Sequence, residues 1–272
     1  MIVACLKWVD QRPEPDAHGV IASPDSRFAG VSAADRAALE WALRSRDVIG
    51  GEVVAITAGP VAADVVLRDA LAAGADRSIR LDLSFGESSA VVGAAIAGVA
   101  GGARQIWCGD YSSDRGTGSV PAFIAASLGI AQALGLVRVT FDAKAVDALR
   151  RLDGGRRERL SVAGPAVLSV EGSTAMLRRA PLRALLAAAD IEVVQPPAVA
   201  QPSSSSGAYR AYRPRPRALA APAGTTALQR VKALTGGDSA SSARADPVVL
   251  DPAAAADRML AALREWSYLP PT

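Results

Sequence analysis

The stretch Arg104–Gln132, RQIWCGDYSSDRGTGSVPAFIAASLGIAQ, constrains the fold more than any other. The apolar run Gln105–Cys108 reads as a short buried strand and Gly109–Gly118 as a polar, glycine-rich loop. Val120, Phe123, Ile124 and Leu128 then recur at helical spacing. A strand that passes through such a loop into a helix aims backbone N–H groups and the positive end of a helix dipole at one point, which suits an anion such as phosphate. Gly116 and Gly118 permit φ > 0 and close approach of backbone to a ligand. Thr117 and Ser119 bring hydroxyls, and Asp114 is placed to accept from a ribose or to order the loop. Two familiar phosphate-loop patterns fail: no Lys follows Gly118, and Gly116-Thr117-Gly118 runs on into Ser-Val-Pro121. The residues alone therefore leave an ordinary βα turn open beside a phosphate cradle.

The rest of the chain says what surrounds that loop. Ile2–Leu6 reads as a first buried strand, followed by a loop from Asp10 to about Val31 with three prolines and His18. Ser32 is a good N-cap, Asp35 sits where a capping-box acid belongs, and Leu39, Ala42 and Leu43 form the apolar stripe of a helix. Glu52–Ala58 is a second strand ended by Gly59-Pro60, and Val61–Ala73 a helix stopped by Gly74. Arg77–Leu83 is a third strand and Ser88–Val99 a third, alanine-rich helix. Strands alternating with helices imply a mostly parallel sheet, with the loops after strands one, two and four gathered at its carboxyl edge, where ligands bind. Beyond Gln132, Val137–Val146 and Glu158–Val162 read as strands joined by a hairpin turn at Asp153-Gly154-Gly155, followed by a strand at Ala166–Glu171 and a short helix at Arg183–Ala189. This half is expected to be an antiparallel extension of the same α/β sheet.

Three regions follow: a nucleotide-binding α/β domain over 1–195, a Pro/Ser/Arg-rich linker over 196–245 and a C-terminal helical arm over 246–272. In the arm, Pro252–Trp266 places Met259, Leu260, Leu263 and Trp266 along one helical face. Such a tethered apolar helix must dock on this domain or on a partner.

Composition removes several classes of function. Aromatic residues make up only 4% and the formal charge is only +3 with no long basic block, so nucleic acid is not an expected partner. The only histidine is His18, which rules out multi-histidine metal sites. The two cysteines, Cys5 and Cys108, lie far apart in apolar runs, which suits a reducing cytoplasm better than a disulfide or metal cluster. MIVACLKWVDQ is too short and too early charged for a signal peptide, and no run of apolar residues reaches membrane-spanning length.

Several motifs in their relative positions resemble the beta (small) subunit of electron-transfer flavoproteins over about residues 1–193. They are the opening IVACLKWV, the ALEWA helix after Ser32, VVAITAGP followed by LRDALAAGADRSIRL, Asp114-Arg-Gly-Thr117-Gly118 leading to LGIAQ, and LDGG before GPAVLSVEG. High Ala and Arg content suggests a specialised, actinobacterial-type member. The resemblance implies a Rossmann-like sheet of the adenine nucleotide alpha hydrolase-like type, and a subunit with no catalysis of its own and no metal. It implies a heterodimer with an alpha subunit that holds most of the redox-active FAD, a dehydrogenase as electron donor, and AMP or a second FAD bound in the small subunit.

Carried over residue by residue, the nucleotide contacts fall on Cys5, on Ser32, Ala33, Ala34 and Asp35, and on Ala58. They continue through Gly109, Asp110, Tyr111, Ser112, Ser113, Asp114, Arg115, Gly116, Thr117 and Gly118. Leu182, in Leu177-Arg178-Arg179-Ala180-Pro181-Leu182, matches the leucine that anchors the family's small subunit to its dehydrogenase. A second reading of Leu182 makes it the first core residue of a helix shared with Leu185 and Leu186. The chain departs from the family in carrying Ser32-Ala33 for Asn-Pro, a shorter loop before Thr117, and Ala187–Asp190 for a lysine run. The alternative to the electron carrier is a stand-alone adenine-nucleotide-binding module, like a stress protein.

Overall fold

The structure, a computed structural model, describes residues 1–11, 27–142, 144–187, 190–197, 221–222, 224–235, 248–266 and 268–269. The chain divides into two compact units, Met1–Tyr212 and Arg213–Thr272.

In chain order the first unit contains β1 (Ile2–Cys5), β2 (Trp8–Asp10), β3 (Ala29–Val31), α1 (Ala33–Ile49), β4 (Val53–Gly59) and α2 (Asp64–Ala73). After them come β5 (Arg77–Asp82), α3 (Ser89–Ala100), β6 (Gln105–Gly109), α4 (Val120–Leu128), β7 (Ala131–Phe141), β8 (Ala145–Arg151) and β9 (Arg157–Ala163). The unit closes with β10 (Ala166–Val170), α5 (Leu182–Leu186) and β11 (Glu192–Val194). Nine strands form one sheet in the order β11-β5-β4-β1-β6-β10-β7-β8-β9, while β2 and β3 pair as a separate antiparallel ribbon.

The expected α/β class holds, with two corrections to its second half. β10 runs parallel to both β6 and β7 and β11 runs parallel to β5, so antiparallel pairing in this sheet is confined to β7 with β8 and β8 with β9. The run Val137–Val146 is two strands. Asp142 breaks it, accepting hydrogen bonds from the N–H groups of Lys144 at 2.7 Å and Ala145 at 3.0 Å, so the side chain itself turns the backbone. The expected loop after residue 10 is paired at its base by β2 and β3; its middle, with His18, lies outside the described residues.

Both faces of the sheet are buried at its centre, along β1, β4, β6 and β10. α1 and α2 cover one, packing Leu39, Leu43, Val66 and Leu67 against Ile2, Ala4, Trp107 and Leu168. α3 and α4 cover the other, packing Ile96 and Ile124 against Val3, Ile56 and Ile106. Trp107 is fully buried, stacks on Trp41 with ring centroids 6.2 Å apart, and donates its indole N–H to Gln105 at 3.0 Å. The chain lays β4 and β5 on one side of β1 and then returns to lay β6 on the other. The reversal at β1 and β6 opens a crevice at the carboxyl ends of these strands, as in other open α/β sheets.

In the second unit the structure adds a helix where a structureless linker was expected: α6 (Ala227–Thr235). A capping box starts it, with Gln229 N–H on Thr226 Oγ1 at 3.3 Å and Thr226 N–H on Gln229 Oε1 at 3.2 Å. The expected arm helix is α7 (Pro252–Glu265), capped by Asp251, which accepts from the N–H groups of Ala253 and Ala254. Met259, Leu260 and Trp266 are exposed on it, as are Leu228, Val231 and Leu234 on α6.

Candidate functional site

The crevice at the carboxyl edge holds a cavity of about 130 Å³. Cys5 and Cys108 form part of its lining from the ends of β1 and β6, with Lys7 and Trp8 beside them. Ala58, Gly59 and Pro60 contribute from the end of β4, and Leu83–Glu87 from the loop after β5. Leu6, Asp35 of α1, Ser89, Val92 and Ile96 of α3, and the loop from β6 to α4 with the first residues of α4 complete the wall.

Asp35 ties this edge together. Its Oδ2 accepts the backbone N–H of Lys7 at 3.0 Å and its Oδ1 that of Gly109 at 3.2 Å, so one carboxylate bridges the loops after β1 and β6. Burial pushes its pKa up to about 6, opposed by those two N–H groups, Ser32 and the Lys7 charge. The folded chain thus keeps a proton that the unfolded chain releases between pH 3.8 and about 6, so this group's contribution to stability is greatest below pH 3.8 and declines as pH rises through 6. Asp35→Asn is expected to flatten that slope. Urea unfolding midpoints at pH 4 and pH 7, compared between variant and wild type, check it; an unchanged difference would contradict the assignment.

The helix ends at this edge are not equivalent. α1 is closed by Ser32, whose Oγ accepts the Asp35 N–H at 3.0 Å, and α3 by Ser88, which accepts the Val91 N–H at 3.3 Å. α4 has no side-chain cap: the Ser119 hydroxyl pairs instead with Thr117 Oγ1 at 3.1 Å. The start of α4, where Ser119, Val120 and Pro121 line the cavity, therefore has no side-chain acceptor for its backbone N–H groups, Pro121 having none, and such a helix start suits a phosphate.

Leading into that helix, Gly118 has φ +56°, and a Cβ there would lie 2.5 Å from the Asp110 carbonyl oxygen. Lys7 Nζ reaches across to Asp114 at 2.6 Å and lies 3.4 Å from Ser112 Oγ. Burial works against the Asp114 charge, but the bonds from Lys7 and Ser112 outweigh it and hold the carboxyl below its ordinary range. Arg115 donates to the carbonyls of Glu87, at 2.6 Å, and Gly86, strapping the loop after β6 to the loop after β5. Trp8 and Phe85 meet edge to face with centroids 6.3 Å apart, giving the cavity an aromatic wall.

Of the residues expected from sequence, Cys5, Asp35, Ala58, Gly109, Tyr111, Ser112, Asp114, Arg115, Thr117 and Gly118 line this one cavity. The others stand behind it. Ser32 caps α1, Ala33 and Ala34 pack behind Gly172, and Asp110 donates its N–H to the Val170 carbonyl. Ser113 points toward the Asp10 carbonyl, and the Gly116 N–H closes a turn onto Ser112. Sequence reasoning missed Lys7, Trp8 and Phe85 as lining residues. Only the charge of Lys7, directly after the first strand, was a readable signal for any of them.

Leu182 is 70% exposed, as are Leu185 and Leu186 to 51% and 77%, so the reading of Leu182 as a core residue does not hold. Among the described residues no cluster of three or more His, Cys, Asp or Glu is placed to hold a metal, and no helix is long and apolar enough to cross a membrane.

Comparison with known proteins gives the same direction. Residues 25–200 match the electron transfer flavoprotein domain. Protein FixA of Sinorhizobium fredii is 34% identical over 71% of this chain and 73% of its own length. The electron transfer flavoprotein subunit beta of Mycobacterium tuberculosis is 34% identical over 57% of this chain and 62% of its own length. That of Thermoanaerobacterium thermosaccharolyticum is 34% identical over 50% of this chain and 53% of its own length. With the domain match spanning more than half of the chain, this chain belongs to the electron transfer flavoprotein beta/FixA family.

Proposed function

We propose that the chain is the small subunit of a heterodimeric electron transfer flavoprotein in the cytoplasm, one that performs no catalysis of its own. It pairs with an alpha subunit that holds most of the FAD, takes electrons from a dehydrogenase, and keeps AMP or a second FAD in the cavity between β1, β4, β5 and β6. The observation that carries this reading is the uncapped N-terminus of α4 behind the Gly109–Gly118 loop. The donor set suits a nucleotide: amides and the Thr117 and Ser119 hydroxyls for phosphate, and the apolar wall of Trp8, Phe85, Val92 and Ile96 for a ring. Bound FAD supplies the electron chemistry; this chain's residues orient and enclose. The stand-alone module is disfavoured by the apolar side chains exposed on α5 and α7, which call for a partner. Co-expression with an alpha-like subunit, followed by absorption spectroscopy of the complex, tests the pairing. The reading expects a flavin spectrum in the co-purified pair and fails if the chain purifies alone and colourless.

Leu182 is proposed as the anchor for the dehydrogenase. The segment before it is held to α1 by Arg178, whose Nε lies 3.0 Å from Glu40, and the backbone N–H of Arg178 donates to the same carboxylate at 3.0 Å. The burial that opposes the Glu40 charge is outweighed by Arg178 and Arg44, which keep it ionised. A docking leucine on a pinned segment loses little entropy on binding. Leu182→Ala is expected to weaken the dehydrogenase complex by about 2 kcal/mol while leaving melting temperature and flavin spectrum unchanged. Partner-dependent turnover measured beside thermal melting checks this, and normal turnover would remove Leu182 from the interface.

A further inference from the structure

The cavity is lined by two thiols, Cys5 and Cys108, of which only Cys5 is among the nucleotide contacts expected from sequence. Cys5 ends β1, and Cys108 stands one residue before the end of β6. These strands are neighbours with Ala4 opposite Trp107, so the next step in register sets Cys5 beside Cys108. Ala4 and Trp107 point into the core under α1, and the two cysteines point together to the other face, under α3 and α4. Both thiols are free, both belong to residues more than nine-tenths buried, and both residues line the cavity. The Cys5 thiol beside it, together with burial, raises the Cys108 thiol well above its ordinary pKa. Neighbouring strands lie about 4.8 Å apart, inside the range of about 4.4–6.8 Å that Cα atoms span in a disulfide.

We propose that Cys5 and Cys108 are an oxidisable dithiol in the floor of the cavity, which a hydroperoxide closes to a disulfide and so deforms the anion cradle. The Cys5 sulfur attacks the outer oxygen of the hydroperoxide; an S–O bond forms, the O–O bond breaks, and the alcohol or water leaves. The Cys108 sulfur then attacks the Cys5 sulfenic acid; the S–S bond forms, the S–O bond breaks, and water leaves with the Cys108 proton. Two thiols lose two electrons and the hydroperoxide gains them.

Closure reaches the cradle through the backbone. Cys108 precedes Gly109 and Cys5 lies two residues before Lys7, and the N–H groups of Gly109 and Lys7 are the two held by Asp35. Drawing the sulfurs to about 2.05 Å shifts both strand ends against that carboxylate. A ligand seated in the cavity shields the pair in turn. This last coupling rests on the nucleotide reading; the dithiol itself does not.

The test treats the reduced full-length chain with hydrogen peroxide and follows intact mass, free thiols and AMP binding. The expected result is simultaneous loss of both thiols with a mass decrease of two hydrogens, a monomer on non-reducing gels, and reversal by dithiothreitol. In Cys108→Ser, Cys5 should instead gain oxygen. AMP binding should weaken about tenfold or more in the oxidised chain, a change of about 1.4 kcal/mol. Added oxygen without the disulfide in the wild type, a disulfide-linked dimer, or two thiols surviving peroxide that oxidises free cysteine would each overturn the dithiol. Equal AMP affinity in both states would overturn the coupling. A reduced chain that ignores AMP counts against the nucleotide reading, while the mass change still decides the dithiol.

Discussion

Gly109→Ala is expected to lower stability by about 1–3 kcal/mol or more and to empty the cavity of its ligand. A Cβ at this position would lie 2.4 Å from Asp35 Oδ1, 2.9 Å from the Asp35 nitrogen and 3.0 Å from the Ala34 carbonyl carbon. Two of those atoms are backbone of the first turn of α1, so no rotamer change relieves the clash. Either β6 or α1 must move, and the bond from the Gly109 N–H to Asp35 breaks with it. Gly118→Val, by contrast, fails within its own loop, through a positive φ and the Asp110 carbonyl, before any ligand is considered. Gly101→Ala is the control: nothing lies within 4 Å of the added methyl, and stability should stay within about 0.5 kcal/mol of wild type. Denaturant midpoints and the amount of co-purified nucleotide check all three. A Gly109→Ala protein with wild-type stability and a full complement of ligand would contradict the placing of α1 against the loop.

Deleting residues 213–272 is expected to weaken the heterodimer by about 3 kcal/mol or more, on the order of a hundredfold in affinity, while leaving the melting of the first unit unchanged. The boundary is that of the second unit, whose α7 is capped at its N-terminus by Asp251. Met259, Leu260 and Trp266 are exposed on α7, and buried tryptophans are the commonest interface anchors. Trp266→Ala alone should account for about 2 kcal/mol of the loss. Affinity for the alpha subunit, measured by titration with truncated and full-length chains, decides. Equal affinities would remove the arm from the interface.

The first half of the sheet was legible because β1, β4 and β6 are short, mostly apolar runs and the helices carry their own caps or stops: Ser32 and Ser88 at N-termini, Gly74 after α2. The place of β10 was not. Ala166–Val170 is apolar but for Ser169, as suits a strand buried on both faces, but nothing local says that it slots between β6 and β7. The start of β7, Ala131–Leu136, was hidden because AQALGL has no strand periodicity; its inward groups are chosen by the sheet beside it. α6 carried a readable signal, the Thr226-Ala-Leu-Gln229 capping box, which the surrounding Pro/Ser/Arg composition masked.

At the site, the loop after β6 announced itself through its glycines. Lys7, Trp8 and Phe85 did not, because each becomes a lining residue only when β1 and β5 are laid into one sheet with β6. The role of Asp35 was half visible. Spacing marked it as a capping-box acid, whereas its carboxylate is turned to the ends of two other strands, a tertiary fact with no sequence signature.

The central claim is that this chain is a flavoprotein small subunit with a nucleotide seated at the carboxyl edge of its sheet. Its most direct test is to purify the complex through a tag on this chain, denature it with acid and count what is released per small subunit. The account predicts one FAD from the alpha subunit plus either one AMP or a second FAD from the cavity between β1 and β6. A complex that releases a single FAD and no further adenine nucleotide, or a chain that brings down neither flavin nor partner, would contradict it.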